Sequence, residues 1–90
     1  MAMSETSVKA PAPGIGADML FQMGLKLSTG GEGVEIDPIG ALALFDMAAR
    51  FGSIEAKIYR RELSDEMDPE DILEARRLAR EWGSVEPVRR

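Results

Sequence analysis

Three basic residues in the middle of the chain could bind an anionic partner. Lys57, Arg60 and Arg61 are spaced by three and four residues, which places both arginines one helical turn from the lysine. Their side chains form charge-assisted hydrogen bonds with carboxylates and phosphates. The net charge of the chain is −5, and this charge repels nucleic-acid backbones and anionic lipid. We therefore expect another protein as the partner, and neither nucleic acid nor a membrane.

A cluster of acids in residues 65–71 could bind a hard cation, which prefers several oxygen ligands. The spacing of these acids fits no calcium-loop pattern, and no central glycine provides the sharp turn. Asp68, Glu70 and Asp71 have a simpler role at the start of a helix, where capping and the helix dipole favour negative charge. We expect no metal site and no cofactor.

The stretch GEGVEIDP places glycines before a helix, as loops that bind phosphate do. A phosphate loop of the Walker type requires Lys-Ser or Lys-Thr after its last glycine and a strand before it. Here Gly33 is followed by Val-Glu-Ile-Asp, and the two acids of that run would repel phosphate. The pattern favours a corner between two helices.

Residue types that commonly carry catalysis are missing. The chain has no histidine and no cysteine, which removes the commonest general base, the thiol nucleophile and the thiolate metal site. No cleft with paired carboxylates is indicated, so we expect no enzyme. The absence of cysteine agrees with a cytoplasmic location, and no run of 18 apolar residues could span a bilayer.

Four helices must position these side chains. The first is predicted over residues 17–28 and ends at the glycines that include Gly30. The second starts with Asp37 as N-cap and Pro38 at the first helical position, and ends at Gly52.

The remaining two helices follow closely. Ser53 can cap the third, predicted over residues 54–64 with Ile54 and Ile58 facing inward and with Tyr59 and Leu63 as further candidates for that face. The fourth repeats the Asp68-Pro69 start, and its buried stripe includes Trp82.

Short connections between the helices predict antiparallel neighbours. The predicted fold class is all-α, with four helices arranged as two stacked helical hairpins over residues 17–83. Residues 1–16 are small, polar or proline-rich and are expected to be a mobile lead with almost nothing to bury. Residues 84–90 are expected to be a polar tail.

The two hairpins carry a similar pattern at an offset of 34 residues, since Asp37-x-x-x-Ala41-x-x-Leu44 aligns with Asp71-x-x-x-Ala75-x-x-Leu78. Self-similarity at this period is typical of stacked helix-pair repeats. Small residues would allow adjacent helices to approach closely. The expected close-contact positions are Ala41, Ala48, Ala49 and Ala56.

The chain resembles the Sel-one-like repeats, relatives of the tetratricopeptide repeats. About 38 consecutive residues carry the family pattern: Met23-Gly24, Leu27, Gly30, Gly33-Val34, Asp37, Ala41, Leu44-Phe45, Ala48-Ala49, Gly52 and Ala56. Leu27 stands where the family prefers an aromatic residue, and the glycine turn has one extra residue. The second copy is degenerate, because Arg60-Arg61 replaces the expected Leu-Gly, and we interpret it as a terminal cap. The segment from Asp68-Pro69 to Trp82 looks like the closing segment of such repeats in bacterial proteins.

The resemblance implies a scaffold or adaptor for protein–protein contact without chemistry of its own. Its concave face would be built from the first helix of each hairpin, with partner contacts at Gln22, Leu25, Lys26, Lys57, Arg60 and Arg61. The sequence also allows a homodimer, because Met19, Leu20, Met23 and Phe45 at the free end of the stack are expected to be incompletely covered.

A different function class remains open as an alternative. The segment AARFGSIEAKIYRREL is similar to a helix-turn-helix, in which the helix after Gly52 would enter the DNA major groove. The net charge, two glutamates on that helix and the ten acids that follow Ser53 argue against it. The simpler interpretation is a solvated charged surface with intrahelical pairs such as Glu74–Arg77 and Arg77–Glu81.

Overall fold

A computed structural model describes residues 9–83, and this part of the chain forms four α-helices and one short 3-10 turn, with no strand. The helices are α1 (Ala17–Thr29), α2 (Pro38–Arg50), α3 (Ile54–Glu66) and α4 (Pro69–Gly83), and the 3-10 turn is Gly31–Gly33. The all-α class is confirmed. The tail predicted over residues 84–90 and the first half of the predicted lead lie outside the described residues.

Local sequence signals set the helix starts. The Gly40 N–H donates to the Asp37 carboxylate at 3.1 Å, and the Ala56 N–H donates to the Ser53 hydroxyl at 3.0 Å. Both side chains therefore satisfy N–H groups that have no partner within the helix. Proline begins α2 and also α4, so the predicted Asp-Pro starts are confirmed.

The glycine-rich stretch is a corner between α1 and α2. Gly30 has φ 79°, a left-handed conformation, and its N–H donates to the Lys26 carbonyl at 2.8 Å. The Asp37 N–H then donates to the Leu27 carbonyl at 2.9 Å, which closes the corner. Because the Asp37 carboxylate accepts from the first turn of α2, that helix N-terminus already holds an anion supplied by the chain itself.

Helix α2 is the centre of the fold. Ten of its 13 residues are buried, and each of the other three helices packs on it while making few contacts with its other neighbours. The predicted close-contact residues Ala41, Ala48, Ala49 and Ala56 are all buried. Alanines allow this arrangement because a small side chain permits another helix to approach from each side.

Helices α1 and α2 pack tightly against each other at Gly24. A Cβ at this position would lie 2.7 Å from Cε1 of Phe45 and 3.4 Å from the Ala41 carbonyl oxygen. The Phe45 ring also contacts rings of two other helices, with centroid distances of 5.8 Å to Phe21 and 5.6 Å to Tyr59. These three rings tie α1, α2 and α3 together.

The inward face of α3 differs from the prediction. Ile54 and Ile58 are 72% and 52% exposed, so their predicted inward orientation is wrong. Ala56 is buried instead, and the Tyr59 ring lies 5.2 Å from that of Phe21. The apolar residues of α3 form two stripes, one with Ile54 and Ile58 and the other with Ala56 and Tyr59. The ring contacts of Tyr59 with the neighbouring helices place the second stripe inward.

The part of the predicted lead that the structure describes is packed on the core. Pro11 is buried, and Ile15 lies against the core cluster. Residues 11–15 line a small crevice with Leu20 and Trp82. The expectation that this segment buries almost nothing is therefore wrong for these two side chains.

The free end of the stack is more completely covered than predicted. Leu20 and Phe45 are each 1% exposed. Met23 is half-buried, and Met19 alone of the four predicted residues is largely exposed. An apolar dimer surface built from these four residues therefore has little area available.

Candidate partner-binding groove

A groove opens between α3 and α4. Both helices pack on α2 but make few contacts with each other, and the space between them is about 390 Å³. We call it the basic groove; its lining residues are Leu42, Asp46, Arg60, Arg61, Ser64, Ile72, Ala75 and Arg76. Residues of α2 form its floor, and α3 and α4 form its walls.

The single carboxylate in the groove is already paired. Asp46 accepts from Arg60 at 2.9 Å, and a nitrogen of Arg50 lies 3.6 Å from its other oxygen. Arg50 also donates to the Ala79 carbonyl at 3.4 Å. Asp46 therefore fixes Arg60 on α3 and helps to hold α4 through Arg50, and its own charge is compensated.

Two further arginines of the groove have no such partner. The guanidinium groups of Arg61 on α3 and Arg76 on α4 make no hydrogen bond or ion pair within residues 9–83. Both are exposed. A guanidinium group presents several donors in a plane that matches a carboxylate or phosphate, so these two walls of the groove can accept an anionic group.

The two flanks of α3 carry opposite charges. With 100° between successive residues, Lys57, Arg60 and Arg61 follow the flank that borders the basic groove. Glu62 and Glu66 lie on the other flank, beside α1. There a shallow hollow of about 190 Å³ is lined by Ser28, Phe45, Tyr59, Glu62, Leu63 and Glu66.

The hollow at the other end of these helices is also acidic. Asp18 from α1 and Glu55 from α3 both line it, beside Gly52 and Ser53. The surface between α1 and α3 therefore has an acidic rim, whereas the basic residues lie on the opposite side of α3.

The six predicted partner-binding residues do not form one surface. Gln22 and Lys26 are exposed on α1, and Leu25 is half-buried there. Lys26 pairs with Glu32 of the 3-10 turn at 3.0 Å. Arg60 and Arg61 line the basic groove, and Lys57 occupies the same flank of α3. The predicted residues of α1 and those of α3, the first helices of the two hairpins, therefore do not form a shared binding face.

Sequence reasoning missed the contribution of α4 to the groove. Arg76 lies four residues after Ile72, so both are on the flank of α4 that faces α3. This spacing was visible in the sequence. The spacing did not show where α3 lies, because the position of α3 depends on contacts between residues that are distant in sequence.

The outer side of α4 carries the predicted intrahelical pairs. Arg77 bonds Glu74, and it donates to Glu81 at 3.2 Å, so both pairs are confirmed. The hydrogen bond from Arg77 lowers the pKa of the Glu74 carboxyl, and the same bond raises the pKa of Arg77. These groups lie away from the basic groove, and Arg77 offsets part of the charge of the two glutamates.

The chemistry available to the groove is recognition of an anion. The chain has neither histidine nor cysteine, and no group of three or more acidic residues in residues 9–83 is placed to hold a metal ion. Over the same residues, no helix combines the length and apolarity needed to cross a bilayer.

No family model matches the chain, and neither a curated protein nor a solved structure shows a significant match to it.

Proposed function

We propose that this chain is a protein–protein interaction module, an adaptor or scaffold, whose basic groove binds an acidic segment of a partner protein. The observation that carries the proposal is the pair Arg61 and Arg76, which face one groove from two helices without a partner among the described residues. Arg60, fixed by Asp46, adds a third guanidinium at the same place.

The groove also indicates what the partner segment contains. Leu42 in the floor and Ala75 in the α4 wall are buried, and Ile72 of the same wall is half-buried. A segment with two or more carboxylates and one apolar side chain would satisfy the arginines and cover this apolar surface. Charge complementarity of this kind mainly increases specificity and the rate of association.

The resemblance to Sel-one-like repeats supports the same function class. Such repeats imply a scaffold without catalysis, and the close contact at Gly24 agrees with the glycine of the family pattern. The basic groove would then be a binding surface of the degenerate second hairpin, where Arg60-Arg61 replaces the expected Leu-Gly.

The helix-turn-helix alternative has less support. The α3 surface farthest from α2 presents Ile54 and Ile58, which are exposed apolar residues. Arg60 is directed to Asp46 rather than outward. A recognition helix reads base edges with polar side chains on its outer face, and this face of α3 has few of them.

The test is a comparison of partner capture from native lysate with three baits. The baits are the wild-type chain, the double variant Arg61→Glu/Arg76→Glu, and the control Lys9→Glu/Arg80→Glu, which makes the same change in net charge at two exposed residues outside the groove lining. Far-UV circular dichroism first verifies that all three are folded. Partners identified by mass spectrometry are then measured by calorimetry.

We expect a partner that the wild type and the control retain and the groove variant loses. A charge reversal at a hydrogen-bonded ion pair reduces affinity by roughly thirtyfold or more. Equal capture by all three baits would exclude the groove as the binding site. Capture of nucleic acid in place of protein would favour the DNA-binding alternative.

A further inference from the structure

The strongest unexplained feature beside the basic groove is the acidic turn, which we define as residues 65–71. Five of these seven residues are acidic: Asp65, Glu66, Asp68, Glu70 and Asp71. None of the five forms an ion pair within the described residues. The most concentrated negative charge of the chain thus has no ion-pair partner among residues 9–83.

The turn cannot neutralise the adjacent groove in its own molecule. Asp65 lies four residues after Arg61, a spacing that allows a helical ion pair, yet no such pair forms. Only two residues separate the end of α3 at Glu66 from the start of α4 at Pro69. So short a connection holds the acids at the end of the groove and cannot fold back over it.

We propose, resting on the function proposed above, that the partner of the basic groove is a second copy of this chain. The acidic turn of each copy binds in the basic groove of the other. Carboxylates of the turn would pair with Arg61 and Arg76, whose guanidinium groups have no partner within residues 9–83.

The position of the turn favours a reciprocal contact. The groove is lined by Arg61 and Ser64 just before the turn and by Ile72 just after it. A two-fold axis that passes between the turn and the groove would bring each turn over the groove of the other copy, which gives a closed dimer with the same contact made twice.

An apolar residue adjoins the same surface. Leu73 is 64% exposed and directly follows Ile72 of the groove. Burial of an exposed leucine would add a hydrophobic contribution to the electrostatic one. Two chains with a net charge of −5 repel each other at long range, so only such a local complementarity brings them together.

The experiment is a reciprocal charge swap followed by sedimentation equilibrium. One variant is Arg61→Glu/Arg76→Glu, which reverses the groove. The other is Asp65→Arg/Asp68→Arg, which reverses the turn. Each is measured alone and in an equimolar mixture, with Lys9→Glu/Arg80→Glu as the net-charge control for the groove variant.

We expect the wild type and the control to dimerise, and each swapped variant to be weakened at least tenfold. The mixture should recover dimerisation, because each reversed surface then meets its complement. Raising the salt from about 0.05 M to about 0.5 M should weaken the wild-type dimer about tenfold.

Three results would overturn the inference: a wild-type monomer at high concentration and low salt, swapped variants that still dimerise alone, or a mixture that stays monomeric. A monomeric wild type that still captures a different acidic protein through Arg61 and Arg76 would overturn this inference alone. Loss of both self-association and groove-dependent capture would remove the proposed function as well.

Discussion

Replacing Gly24 with alanine tests the packing of the first hairpin. The new Cβ would lie 2.7 Å from Cε1 and 2.8 Å from Cδ1 of Phe45, whereas ordinary contacts begin at 3.4 Å. The ring would have to move by about 0.7 Å to relieve the contact. Phe45 is 1% exposed and is packed against Phe21 and Tyr59, so these neighbouring rings oppose its movement.

Two opposing effects decide how much Gly24→Ala changes the free energy of unfolding. Alanine is favoured over glycine inside a helix by about 1 kcal/mol. Overpacking a filled core costs about 1–3 kcal/mol. Because the Phe45 ring beside Gly24 is buried, the cost lies near the upper end. We therefore expect Gly24→Ala to lower the free energy of unfolding by about 1–2 kcal/mol, which corresponds to roughly 5–15 °C in Tm for a domain of this size.

The assay is urea unfolding followed by far-UV circular dichroism. Gly83→Ala is the control. A Cβ added at this helical glycine would lie 3.9 Å from a nitrogen of Arg50, which is an ordinary contact. The control should be neutral or slightly stabilised. In a Phe45→Leu background, the cost of Gly24→Ala should largely disappear. A Gly24→Ala protein as stable as the wild type would refute the packing argument.

Three further predictions concern single positions. Asp37→Ala removes the N-cap of α2 and should cost about 1 kcal/mol in urea unfolding; an unchanged midpoint would mean that the cap contributes nothing. The lowered pKa of Glu74 means that its pairing with Arg77 stabilises the fold above the ordinary glutamate pKa and is lost as the pH falls through the lowered value. Glu74→Gln should therefore be slightly less stable than the wild type at neutral pH and equal to it in strong acid, and an equal deficit at both pH values would contradict this. Ile58→Gln should change the free energy of unfolding by less than about 0.5 kcal/mol, because Ile58 is exposed; a loss of several kcal/mol would show that the side chain is buried.

Local signals explain why the helix starts could be predicted from the sequence. Each of these signals acts on residues close to it in sequence. The Asp37 carboxylate accepts from the first turn of α2, Pro38 has a fixed φ, and Gly30 adopts the left-handed conformation. The small residues also carried information, since Ala56 was expected at a close contact and is buried.

Longer-range contacts explain what the sequence did not reveal. Apolar periodicity on α3 offered two stripes, and only the ring contacts of Tyr59 with Phe21 show which one faces inward. The pair of Arg60 with Asp46 joins residues 14 positions apart.

The groove itself also depends on long-range packing. It exists because α3 and α4 both pack on α2 rather than on each other, and no pattern within either helix encodes that arrangement. The repeat gives a partial hint: the Asp-Pro starts are 31 residues apart, whereas the apolar pattern repeats after 34. Helix α4 accordingly begins earlier in the pattern than α2 and is 15 residues long rather than 13.

The most direct test of acidic recognition by the basic groove is a nuclear magnetic resonance titration of the full chain with a short polyglutamate peptide at low salt. We expect the largest shifts at Arg61, Ser64 and Arg76, and their loss in Arg61→Glu/Arg76→Glu. Shifts confined to α1, or no shifts at high peptide concentration, would contradict the account.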